Sequence, residues 1–152
     1  MTHPRTILVT GASKGIGQAI AVRLARDGFH IVVHYGSDAP GADATLQAIV
    51  QAGGEGRIVT FDIADRADCV ATIEHDMATH GVYYGVVLNA GIVRDSAFPA
   101  MEDSDWDDVI GTNLDGCYNV LRPIVMPMVS ARRGGRIVTL SSVASRCSMH
   151  RS

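Results

Sequence analysis

Residues 10–17 read TGASKGIG, with glycines at positions 11, 15 and 17. A short apolar run, TILV at 6–9, precedes them and a helical pattern follows. Glycines at a strand-to-helix turn let the backbone approach a pyrophosphate, and the helix behind them offers free N–H groups and a positive dipole end. Gly11, Ser13, Lys14, Gly15, Ile16 and Gly17 are therefore candidate cofactor-binding residues. The spacing is not G-x-G-x-x-G, and it is not a P-loop, because Lys14 precedes Gly15 and no Lys-Ser/Thr pair follows the last glycine. A purely structural tight turn is the alternative reading of the same letters.

The elements that hold this turn alternate along the chain. Apolar runs at 6–9, 30–35, 57–62, 85–91 and 136–142 predict five strands, and the helical patterns between them predict βαβ crossovers in a parallel sheet. In the first helix Ile16, Ile20 and Leu24 recur at four-residue spacing, which predicts that they face the sheet. A second helix is expected over 41–54 and a third over 65–81, with Val70, Ile73 and Met77 inward. A longer one begins near Ser104 as N-cap, with Asp105 and Asp107 in its first turn. Trp106, Ile110, Leu114 and Leu121 predict its packed side, and Pro123 and Pro127 predict a kink or break. About five strands and four helices make an α/β, Rossmann-like, doubly wound parallel sheet that is incomplete. No repeat or linker divides it, so residues 1–143 are expected to form one dinucleotide-binding domain.

Composition bounds the functions available. Of 152 residues, 47% are hydrophobic and 19% charged, enough apolar material for a real core. The net charge is −3, Lys14 is the only lysine, and the arginines are scattered apart from Arg132-Arg133, which points away from nucleic acid and anionic membranes. Cys69, Cys117 and Cys147 are far apart and odd in number, supporting neither a disulfide framework nor a metal site. The N-terminus holds no long apolar segment, and a cytoplasmic location is expected.

TGASKGIG, Asp62 after the third strand, NAG at 89–91, Asn113 in the long helix and GGRIVTLSSV at 134–143 together resemble the short-chain dehydrogenase/reductase family. Within it, GVVLNAGIVRD, WDDVIGTNLDGCYNV and MPM are similar to the 3-oxoacyl-[acyl-carrier-protein] reductases. The resemblance implies an oxidoreductase that uses a nicotinamide cofactor to reduce a carbonyl, the substrate being a small molecule or a 3-oxoacyl group on acyl-carrier protein. It also implies that Asp62, with Ile63 beside it, binds the adenine edge, and that Asn89, Ala90 and Gly91 lie beside the cofactor. A loop aspartate capping the next helix is the alternative for Asp62. By motif position Ser142 hydrogen-bonds the substrate carbonyl and Asn113 orders a water in a proton relay.

The second strand bears on cofactor choice. It ends His34-Tyr35-Gly36-Ser37, with no carboxylate until Asp38. NAD binders place an acidic residue there to hold the ribose hydroxyls. With Tyr35 and Ser37 at the strand end and Lys14 in the loop, a 2′-phosphate is accommodated, so NADP(H) is expected. Asp38 would reverse that preference if its loop folded back onto the ribose.

The family resemblance also implies a tyrosine acid and a lysine four residues after it, following Ser142. No Tyr-x-x-x-Lys occurs in the 152 residues; Tyr118 and Arg122 share the spacing but precede the fifth strand. From Ala144 the letters ASRCSMHRS depart from the family pattern, and 144–152 is expected to be an aberrant tail left by a frameshift or early stop. The expectation is a chain without turnover of its own, either a non-catalytic NADP-binding module or a non-functional truncated product. It is also expected to be marginally stable, aggregation-prone and short of part of the interface through which the family forms homo-oligomers.

Overall fold

The computed structural model describes residues 5–142; the residues expected to form the aberrant tail lie outside the described part. Five parallel strands form one sheet in the order β3-β2-β1-β4-β5: β1 Thr6–Val9, β2 His30–Tyr35, β3 Glu55–Thr60, β4 Gly85–Leu88 and β5 Arg136–Thr139. The sheet is the Rossmann-like one expected. Its order reverses between β1 and β4, and in such sheets the crevice at the reversal, beyond the carboxyl ends of the strands, is where ligands bind.

Both faces of the central strands are apolar, and their period-two alternation sorts them into two cores. Ile7, Val9, Ile31 and Val33 pack with Ala21 and Ala25 of α1 (Gly15–Arg26) and Ala42 and Ile49 of α2 (Ala39–Gln51). Leu8, Val32, Val86 and Leu88 pack on the other face with Ile73 and Met77 of α3 (Arg66–His80), and with Val120 and Ile124 of the last helix. The face α1 turns to the sheet is therefore small: Gly17, Ala21 and Ala25 are buried, while Ile16 is 67% exposed. The expectation that Ile16 packs inward fails because the glycine turn brings α1 too near the sheet for a large side chain in that place.

The longest helical stretch corrects three further expectations. It begins at Asp103, with Glu102 rather than Ser104 as N-cap and Asp103 and Asp105 in the first turn. It runs as α4 (Asp103–Ile110), a π-helical turn (Gly111–Asp115) and α5 (Gly116–Ser130). The break lies at the π turn, and α5 continues through both Pro123 and Pro127. The wider turn re-registers the helix so that Gly116 lies against Ile63, where a Cβ would sit 2.9 Å from Ile63 Cγ1. Trp106 and Leu114 are 55% and 64% exposed, because nothing among the described residues covers that side of α4 and the π turn.

Candidate functional site

The carboxyl ends of β1, β2 and β4, with the loop after β3, enclose a cleft of about 420 Å³. Gly11, Ser13 and Lys14 line it from the glycine turn; Tyr35, Gly36, Ser37 and Asp38 from the end of β2; Asp62 and Ile63 from the exit of β3; and Asn89, Ala90 and Gly91 from the exit of β4. Residues far apart in sequence thus converge because parallel strands all deliver their exits to one side. Gly15, Ile16 and Gly17 belong to the turn but are not in the wall: Gly17 is buried under it and Ile16 is exposed.

The turn is held by side chains from three neighbouring elements. Asn89 Nδ2 donates to the carbonyls of Thr10 and Gly11, each at 3.0 Å. Thr10 Oγ1 in return accepts from the backbone N–H of Asn89 and of Ala90 at 3.0 Å. From α2, the fully buried Thr45 hydroxyl donates to Ala12 C=O at 2.8 Å and accepts from Gln18 Nε2 at 3.0 Å. From β2, His34 Nδ1 accepts from Gly11 N–H at 3.1 Å. Packing here leaves no room for side chains at two glycines. Gly11 has φ +62° and a Cβ on it would lie 2.8 Å from Ala90 Cα; one on Gly17 would overlap Gly11 O and Asn89 Nδ2.

The start of α1 is open to an anion. Its N-cap, Lys14, makes no side-chain cap hydrogen bond, and the first turn holds no acidic residue. At the other end of the cleft, Asp38 is the N-cap of α2 and accepts from Gly41 N–H at 3.0 Å. Asp62 does not cap α3, whose N-cap is Asp65; its carboxylate accepts from Ala64 N–H at 2.9 Å within its own loop. That loop is anchored from beneath by buried Asn119 of α5, which donates to Ile63 C=O at 3.1 Å and accepts from Arg66 Nε at 3.0 Å.

Two further sequence-identified residues stand outside the cleft wall. Asn113 lies in the π turn, and its amide is used at both ends by one residue: Oδ1 accepts from Ile92 N–H at 2.8 Å and Nδ2 donates to Ile92 C=O at 2.9 Å. The pair ties the helix to the loop after β4, and Thr112 beside it reaches the cleft. Ser142 follows β5, on the side of the sheet where the other strand exits lie.

The sequence reading missed His34 as a site residue. It is 2% exposed, sits tilted against Phe61 with ring centroids 4.0 Å apart, and burial pushes its pKa down to about 4. A histidine directly following the buried apolar run Ile31-Val32-Val33 was the available signal, since a buried ring nitrogen needs a partner.

Among known proteins, the short chain dehydrogenase family model matches residues 5–151. A 3-oxoacyl-[acyl-carrier-protein] reductase FabG of Aggregatibacter actinomycetemcomitans is 54% identical over 139 residues, covering 91% of this chain and 57% of that protein. Proteins of the same name from Pseudomonas aeruginosa and Staphylococcus aureus (strain Mu50 / ATCC 700699) are 39% and 36% identical, over 91% and 94% of this chain and 56% and 58% of theirs. The chain therefore spans a little under three-fifths of the length of these relatives.

Proposed function

The chain belongs to the short-chain dehydrogenase family, and on that premise we propose that it binds NADP(H) in the cleft, as the cofactor-binding part of a reductase for 3-oxoacyl groups on acyl-carrier protein. The observation that carries this reading is the convergence of the glycine turn, the β2 end, Asp62 and Asn89–Gly91 on one cleft. The substrate class rests on the relatives of that name.

The arrangement of the cleft supports residue roles that the family resemblance implies. The turn and the uncapped start of α1 take the pyrophosphate. Asp38 caps α2 through Oδ1 at this end of the cleft, where Lys14 and Ser37 are the groups suited to a 2′-phosphate. Asp62 and Ile63 take the adenine edge, and Asn89, Ala90 and Gly91 supply backbone and small side chains beside the nicotinamide.

Bound there, NADPH supplies the hydride for the carbonyl carbon, and the protein must stabilise and protonate the oxygen. Ser142 is the residue of this chain suited to hydrogen-bond that oxygen. Asn113 fixes the loop after β4 through Ile92, with its side chain committed to that task. The proton needs an acid, and the 152 residues contain no Tyr-x-x-x-Lys. These 152 residues accordingly account for cofactor binding and not for the acid. The exposed Leu114, Tyr118 and Met126 along the π turn and α5 support self-association through that helix.

The test is a reversal of preference. Ser37→Asp places a carboxylate where NAD binders have one, and should shift the ratio of NADPH to NADH dissociation constants by about a hundredfold or more toward NADH. An unchanged ratio would place the 2′-phosphate elsewhere. Consumption of NADPH by the wild-type chain with a 3-oxoacyl thioester would refute the missing-acid reading.

A further inference from the structure

His34 lines the cleft as a buried side chain, between two backbone groups that leave its ring no choice. Gly11 N–H, 3.1 Å from Nδ1, can only donate, and Phe61 C=O, 3.1 Å from Nε2, can only accept. The ring must therefore be neutral with its proton on Nε2. Gly11 is the first glycine of the turn, and Phe61 immediately precedes Asp62. The backbone of His34 adds a third tie, its carbonyl accepting from Ala12 N–H at 2.8 Å.

We propose that His34 is the positioning residue of the cofactor cleft, its neutral Nε2–H imidazole acting as a rigid strut that fixes the glycine turn relative to the loop bearing Asp62 and Ile63. The inference rests on the NADP(H) reading of the cleft. One ring thereby joins the residues assigned to the pyrophosphate with those assigned to the adenine. A cofactor that must touch both ends at once gains from having their separation set before it arrives, since the loops are not ordered at the expense of binding.

The surroundings hold the ring in this state. Burial opposes its protonation, and the charged groups acting on it, Asp62 and Asp68, favour the proton too weakly to offset that. Adding a proton would turn Nδ1 into a donor facing Gly11 N–H, so the strut releases the turn only in acid.

Two readouts on the 152-residue chain test this. In the first, ¹⁵N NMR of the ring should show the neutral, Nε2-protonated tautomer at pH 6. A ring with its proton on Nδ1, or a charged one, overturns the proposal. In the second, NADPH dissociation constants are compared for the wild type, His34→Phe, which fills the space without an acceptor, and His34→Gln, whose amide both accepts and donates. His34→Phe should bind about tenfold or more weakly, and His34→Gln should recover most of that loss. Rescue of this kind separates positioning from mere filling of space. If His34→Phe does not fold, a folded His34→Gln that binds NADPH more weakly than wild type by no more than about threefold supports the strut, and one that has lost binding overturns it. Equal binding by folded His34→Phe and wild type sinks the strut while leaving the NADP(H) reading intact. A wild-type chain with the expected tautomer and no NADPH binding sinks the NADP(H) reading, and the positioning role with it.

Discussion

Ile31 and Ile137 are the same residue type in strands of one parallel sheet, yet Ile31 is fully buried and Ile137 is 45% exposed. The contrast extends to their surroundings. Around β1, β2 and β4, helices cover both faces, and Asn89, Thr45 and His34 tie the turn to its neighbours. Around β5 every strand residue is exposed, and Tyr118, Met126 and Val129 of α5 present apolar surface as well. The cleft thus belongs to the half of the molecule that completes its own packing. Its geometry depends little on whatever meets the β5 side.

The largest test of that contrast is a pair of matched truncations. Ile31→Ala should cost about 2–5 kcal/mol, through lost burial and the cavity left behind. Ile137→Ala should cost about 1 kcal/mol or less, because half of that side chain already meets water. Urea midpoints of the two variants measure it; similar losses would mean that β5 is as well packed as β2.

Acid sharpens the same contrast. An unfolded His34 takes up its proton near 6.5 and the folded one only near 4, so the unfolded chain binds more protons in between. The contribution is complete above 6.5 and is lost as pH falls toward 4, about 3 kcal/mol in all. His30, whose pKa burial also lowers, adds to the loss in the same direction. Subtracting the profile of His34→Gln isolates the ring; parallel profiles for the two proteins would remove His34 as the cause.

How much of this was legible beforehand depended on whether the signal was local. The strands could be read because fully buried parallel strands are continuous apolar runs, and the cleft because its motifs sit at strand exits. Strand ends were less legible. The third was expected at 57–62, but register with β2, from His30 opposite Glu55 to Tyr35 opposite Thr60, moves it to Glu55–Thr60. The fourth stops at Leu88 because Asn89 leaves the ladder to hold the glycine turn. Trp106 and Leu114 were misread for one reason: periodicity says which residues share a helix face, but not whether anything packs on it. His34 was missed because both its partners are backbone atoms, one of them 27 residues away, and no side-chain pattern announces them.

Two smaller effects remain. If the lysine serves the 2′-phosphate as proposed, Lys14→Ala should weaken NADPH about tenfold and NADH by about twofold or less. Equal losses would assign Lys14 to the pyrophosphate instead. Met126→Lys, on the open side of α5, should change stability by no more than about 0.5 kcal/mol. It should also reduce concentration-dependent association in sedimentation velocity. A wild-type chain that stays monodisperse and melts cooperatively at high concentration would show that the apolar surface is no liability.

Whether this chain carries a preformed NADP(H) cleft is decided by calorimetric titration of the 152-residue protein with NADPH and then NADH. A preformed cleft gives one saturable site per chain, with NADPH bound about tenfold or more tightly than NADH. No binding of either nucleotide, or equal binding of both, would contradict it.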